Sequence, residues 1–287
     1  MRLKESVMRV VFAASACVCI AAVALICIFL FANGLPFFQK VDVFSFLSGT
    51  KWSPDVNGSG NGVYGILPMI VGSLYVTAGA LLIGAPIGIL GGVYLARFCP
   101  RGLLKVLLPM VSLMAGIPSV VYGFFGITNL VPFVRDQFGG NGFSILTACI
   151  LLGIMILPTI LQLTYSAVRA VPEYYFEGSL ALGATEERSV FRAVVPAAKS
   201  GILAAVVLGI GRAIGETMAV VMVAGNQARM PKGLLKGVRT LTSNIVTEMG
   251  YATDLHRDAL IATGVVLFVF IMLINLLFSV LKRRETA

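Results

Sequence analysis

Residues 177–196 read E-G-S-L-A-L-G-A-T-E-E-R-S-V-F-R-A-V-V-P. They belong to a polar segment, about 169–200, set between two long apolar runs. Glu173, Tyr174, Glu177 and Leu180 to Leu182 predict a short amphipathic helix. Gly183 suits the end of that helix, because a residue without Cβ takes left-handed backbone at little cost. Thr185 suits the N-cap of the next helix, over 186–195, which stops near Pro196. A helix–turn–helix with membrane-length runs on both sides is expected to lie flat along the membrane surface.

The flanks support that reading. Of 287 residues, 58% are hydrophobic and 12% charged, against about 25% charged in soluble domains. Mean hydropathy is +0.94. Six runs reach the roughly 20 apolar residues that cross a bilayer: about 10–32, 66–96, 105–128, 143–168, 202–226 and 259–281. The expected fold is an all-α membrane protein with about six transmembrane helices in a single domain over 1–287. The run from Val10 to Ala32 is longer than a signal-peptide core and reads as an uncleaved first helix. Pro86 is expected to kink the second helix, and V-N-G-S-G-N-G at 56–62 reads as a polar loop.

Net charge is +9, but Lys and Arg sit at the ends of apolar runs rather than in one basic stripe, which argues against nucleic acid as a partner. Most of them fall on the side of the two termini, so both ends are expected in the cytoplasm. The segment 227–258 dissents, with Arg229, Lys232, Lys236, Arg239 and Arg257. Its excess charge is compatible with an anionic substrate or an external binding protein. Cysteines at 17, 19, 27, 99 and 149 form no C-x-x-C, and His256 is the only histidine. No metal site, disulfide framework or cofactor is expected. No G-x-x-x-x-G-K-[ST] occurs, so ATP hydrolysis would belong to another chain and this one is expected not to be an enzyme.

From Gly201 to Ala228 the only charges are Arg212 and Glu216. An arginine at a membrane-helix centre costs about 2.5–3.5 kcal/mol on insertion scales. At i and i+4 the two residues share a helix face, about 6 Å apart along the axis. Either they form an internal ion pair that locks packing, or Arg212 lines an anion path. Its planar guanidinium matches oxyanions, and Glu216 would hold it at rest. Thr217 flanks that face. G-x-x-x-G at Gly84–Gly88 and Gly211–Gly215 is expected to serve internal helix packing. Ser119 and Tyr122 after Pro118, and Thr159 and Gln162 after Pro158, either line the path or bond to neighbouring helices. Asp254, His256, Arg257 and Asp258 read as a solvated cap of the last helix.

The opening stretch resembles the coupling loop of ABC-importer permeases, E-A-A, three residues, G, nine residues, I-x-L-P. Glu177, Gly183 and Pro196 fall at that spacing; Gly178-Ser179, Ala193 and Val195 depart from it. G-I-P-S-V-V-Y-G-F-F-G at 116–126, G-I-G-R-A-I-G-E-T-M-A-V at 209–220, V-R-T-L-T-S-N-I at 238–245 and L-H-R-D-A-L-I-A-T-G-V-V-L-F-V-F at 255–270 are similar to PstC-type phosphate permeases. The resemblance covers most of 65–281. It implies a MetI-like permease fold with a cytoplasmic coupling helix in a bacterial inner membrane. It implies ATPase docking through Glu177, Gly183, Ala184 and Pro196, and an anion pathway at Arg212, Glu216 and Thr217, with Ser119 and Tyr122 as weaker candidates. The implied partners are a PstA-type permease, two PstB-type ATPase copies and a periplasmic phosphate-binding protein, with inorganic phosphate as cargo. Permeases for sulfate, molybdate or tungstate share the architecture. A secondary anion transporter without an ATPase would explain Arg212 but not the loop.

Overall fold

A computed structural model describes residues 2–54 and 62–286. The 56–62 loop lies outside them except for Gly62, as do the side chains of Arg2, Lys4, Lys282, Arg283 and Arg284.

The chain opens with α1 (Arg2–Gly34), exposed along nearly all its length. A 3-10 turn at Leu35–Gln39 follows, then α2 (Val43–Ser48), whose N-cap Asp42 accepts the Ser45 amide at 2.8 Å. That exposed cap holds the Asp42 carboxyl below the usual carboxylate range, because the Ser45 amide bonds its charged form. β1 (Trp52–Ser53) and β2 (Val63–Tyr64) pair antiparallel, Trp52 opposite Tyr64. α3 (Leu67–Arg97) then runs unbroken through Pro86, which lies exposed on its surface, so the expected kink does not interrupt the helix.

The third and fifth expected spans are not single helices. α4 (Arg101–Gly116) meets the next helical stretch at 92° across Ile117-Pro118. The ring of Pro118 excludes helical backbone at Ile117, which is extended at φ −65°, ψ 127°. α5 (Ser119–Phe125) continues through a π turn at Gly126–Leu130 into α6 (Val131–Phe138). α7 (Ile145–Arg169) begins at Ser144, whose hydroxyl accepts the Thr147 amide. α8 (Tyr174–Ala181) is the predicted amphipathic helix. α9 (Glu186–Ser189), a π turn at Val190–Val194 and α10 (Val195–Ala197) bend by 70° into α11 (Lys199–Gly215). α11 ends where the fifth run was expected to continue. Glu216 is extended and a separate short helix, α12 (Met218–Val223), follows. α13 (Leu241–Glu248) and α14 (Asp254–Thr286) complete the order. Among the described residues four helices are long and apolar enough to cross a membrane, and up to six spans result if each bent pair is one.

The centre is the α3–α7 seam. A Cβ on Gly84 would lie 2.7 Å from the Gly153 carbonyl, on Gly88 2.9 Å from Ile160, and on Gly92 2.7 Å from Thr164. This glycine row lets the backbones approach closely. Val76, Ala80, Leu152, Ile156, Ala205, Ala213 and Val223 fill the core around it. One end of the bundle carries the hairpin, α13 and the start of α14 over a core of Phe37, Phe46, Trp52, Leu241 and Leu260. The other end carries α8 to α10 over Val93, Val168, Val190 and Val194. Gly211 and Gly215 face open space. The second G-x-x-x-G is therefore not a seam within this chain, contrary to expectation.

Replacing Gly88 with leucine should force α3 from α7 and cost about 2 kcal/mol or more. A lowered thermal midpoint in detergent would show it. Gly102→Ala, where a Cβ meets nothing within 4 Å, should leave the midpoint unchanged.

Candidate functional site

Arg212 sits in the last turn of α11, half-buried among the helices. Its Nη1 donates to Thr159 Oγ1 at 3.1 Å, so it is a neutral hydroxyl on α7, not a carboxylate, that holds it. Among the described residues no ion pair joins it to Glu216. The expected shared face does not form, because α11 ends at Gly215 and Glu216 leaves the helical path at φ −68°, ψ 131°. Glu216 Oε1 instead accepts the Ala219 amide at 3.2 Å, capping α12. Thr217 donates to the Gly215 carbonyl at 3.2 Å and stays beside the break.

The other polar candidates bond across helices. Tyr122 is buried, and its hydroxyl donates to the Met114 carbonyl at 3.0 Å, closing the α4–α5 bend. Ser119 opens α5 beside it, half-exposed. Gln162 Nε2 donates to Ser112 Oγ at 3.1 Å, joining α7 to α4.

The loop 169–200 forms the expected turn. Gly183 takes φ +84° and its amide donates to the Leu180 carbonyl at 2.8 Å, closing α8. Thr185 accepts the Arg188 amide at 3.4 Å as N-cap of α9. Glu177, Gly183 and Pro196 are exposed and Ala184 half-exposed. Around them Tyr174, Tyr175, Leu182 and Phe191 are also exposed, Leu182 at 91%. Helix α8 is tied to α3: Arg97 Nη1 donates to both Glu173 oxygens, at 3.1 and 2.9 Å, and its guanidinium lies 5.6 Å from the Phe176 ring centre. The tyrosine pair pushes the Tyr174 hydroxyl up through its contact with Tyr175.

At the opposite end is a cluster not anticipated from the sequence. Glu248, 5% exposed, accepts from Trp52 Nε1 at 2.8 Å, from His256 Nε2 at 2.9 Å and from Arg239. Arg239 also donates to Asn244 Oδ1 and to the Asn226 carbonyl, both at 3.1 Å. His256, expected in a solvated cap, is 3% exposed. Arg239, expected to face anions or a partner, is committed to this network. The signal available in sequence was one carboxylate with an arginine nine residues upstream; nothing local reported Trp52. Arg229, Lys232 and Lys236 do remain exposed, around a cavity of about 200 Å³.

The bundle joins bent helix pairs to an exposed helix–turn–helix. Residues 88–286 match the family described as binding-protein-dependent transport system inner membrane component, and the chain belongs to it. It is a permease of the PstC type. It is 41% identical over 280 residues to a probable ABC transporter permease, YqgH, of Bacillus subtilis, covering 94% of this chain and 90% of that one. It is 35% identical over 252 residues to the phosphate transport system permease PstC of Mesorhizobium japonicum, covering 80% and 76%. A chain in the crystal structure of a bacterial alginate ABC transporter shares the fold, with TM-score 0.69, 16% identity and coverage of 100% and 99%.

Removing one partner of a buried charge pair leaves the other uncompensated, at about 3–5 kcal/mol. Glu248→Ala should therefore lower the thermal midpoint strongly, whereas Trp52→Phe, which loses one hydrogen bond to the carboxylate, should cost less, about 1.5–3 kcal/mol. Thermal unfolding of the two variants in one detergent checks the difference.

Proposed function

We propose that the chain is the PstC-type permease of an ATP-driven phosphate importer and that Arg212 lines the anion path. The observation that carries this is the neutral partner of Arg212. Bonded to Thr159 and not to Glu216, the guanidinium keeps its charge and its remaining donors for an oxyanion. A hydroxyl partner also lets the anion leave again, since the site is neither fully neutralised nor rigidly clamped. Glu216 has a different role from the one its spacing suggests: it caps α12 and so maintains the break beside Arg212. Thr217 lies at that break, and Tyr122 and Ser119 on α5 are the weaker candidates for the same path. The phosphate permeases among the relatives support phosphate as the oxyanion.

The loop 169–200 is read as the docking element for a PstB-type ATPase. Its exposed aromatic and apolar side chains, Tyr174, Tyr175, Leu182 and Phe191, make a patch of the kind that marks an interface. Glu177 faces solvent beside it, Gly183 and Ala184 form the tight turn, and Pro196 precedes the bend into α11. A push on α8 reaches α3 through Arg97 and Glu173, and a push on α9 and α10 reaches α11 directly. ATP binding by the partner would then bias a bundle with two arrangements. The assembly would hold a PstA-type permease, two ATPase copies and an external phosphate-binding protein, with both termini of this chain in the cytoplasm.

Arg212→Ala, assembled with its partners, should lower phosphate uptake about tenfold or more, the loss expected for charge-assisted bonds to the anion. Normal uptake by a well-inserted variant would overturn the pathway role, and competition by sulfate or molybdate would reassign the cargo. Gly183→Val places a β-branched residue at φ +84°, a conformation such residues resist. Its expected outcome is ATP hydrolysis with uptake reduced, read as phosphate moved per ATP; an unchanged ratio would count against docking through this turn.

A further inference from the structure

Where α11 stops at Gly215 and α12 begins at Met218, the chain exposes backbone groups that no helix satisfies. Inside an apolar bundle such groups must find partners within the protein. The Glu216 carbonyl finds one in the Thr242 hydroxyl, which donates at 3.1 Å from the first turn of α13. On the far side of α12 the Asn226 carbonyl accepts from Arg239 Nε at 3.1 Å, and the Val238 amide donates to the Ala224 carbonyl at 2.8 Å. Both ends of α12 are thus held by a single strap, residues 238–248.

The strap itself is anchored. Thr240 caps α13 by accepting the Ser243 amide at 3.2 Å, and its hydroxyl lies 3.1 Å from that of Thr242. The Leu241 amide donates to Ser73 Oγ on α3 at 3.0 Å. At the other end, buried Glu248 gathers Trp52 from the hairpin, His256 from α14 and Arg239 from the strap. We propose that Thr242 and Glu248 are positioning residues for the transport site: neither reaches Arg212, but together they set where α11 breaks and how α12 is held next to it. Thr242 acts directly on the Glu216 carbonyl. Glu248 acts through Arg239 and through the placement of α13. A consequence is that the hairpin end, by way of the Trp52 N–H, bears on the geometry of the break. The geometric part of the inference is independent of the cargo; its effect on uptake rests on the function proposed above.

The test reads the break itself. In the full chain, with the five native cysteines replaced, Gly215→Cys supplies a probe at an exposed position where a Cβ meets nothing within 4 Å. Its labelling rate with a membrane-impermeant maleimide is compared among the parent, Thr242→Val, Thr242→Ser and Trp52→Phe. Valine keeps the shape of threonine and loses the hydroxyl; serine keeps the hydroxyl. The expected result is a rate changed about fivefold by Thr242→Val, the equivalent of one lost hydrogen bond, restored by Thr242→Ser and shifted in the same direction by Trp52→Phe. Equal rates in the parent and Thr242→Val overturn the proposal, as does a Thr242→Ser rate matching valine rather than the parent. If Thr242→Val does not fold, Trp52→Phe carries the same reading, and a parental rate there overturns it. In the assembled transporter Thr242→Val should lower maximal uptake with the KM unchanged. Because labelling needs no substrate or partner, a wild-type chain that carries no phosphate would refute the proposed function and leave this result to stand or fall by itself.

Discussion

In hydrocarbon a backbone carbonyl or amide without a partner costs several kcal/mol, and this constraint organises the molecule. A straight helix meets it without help. This chain interrupts its helices, and at two of the interruptions a side chain from elsewhere donates to a carbonyl at the helix end. Tyr122 reaches back to Met114 across the α4–α5 bend. Thr242 reaches Glu216 across the α11–α12 break. The polar residues scattered through apolar runs thereby acquire a shared purpose, since they make the interruptions tolerable.

Charge inside the bundle is handled in two opposite ways. Glu248 is buried and its partner Arg239 part-buried, and both are hydrogen-bonded on several sides, an arrangement that fixes geometry. Among the described residues Arg212 has only a threonine hydroxyl. A charge that is fully satisfied has nothing left to offer a ligand, whereas one held by a neutral group does. The contrast between the two arginines separates a fully bonded charge from one with donors to spare more sharply than their positions along the chain do.

The glycine-lined seam of α3 and α7 supplies a rigid reference for both. Arg97 leaves the end of α3 to hold Glu173, so the loop carrying α8 is referred to that seam at one end of the bundle. Ser73, near the start of α3, receives the Leu241 amide, so the strap beside α12 is referred to it at the other.

Sequence alone was sufficient for the membrane class, the number of apolar runs, the helix–turn–helix with its caps at Gly183 and Thr185, and the singling out of Arg212. Those readings depend on local properties: hydropathy over about 20 residues, turn chemistry and the cost of a charge among apolar neighbours. The partner of Arg212 was not legible. Periodicity placed Glu216 on its face by assuming a helix that continues, and what ended the helix was a capping bond to Ala219 and a threonine 26 residues on. The Glu248 cluster was hidden for the same reason, since Trp52 and Glu248 are 196 residues apart in the chain and meet only when α13, α14 and the hairpin pack together. Local chemistry decided which residues are costly in a membrane; only tertiary packing decided which other residues compensate them.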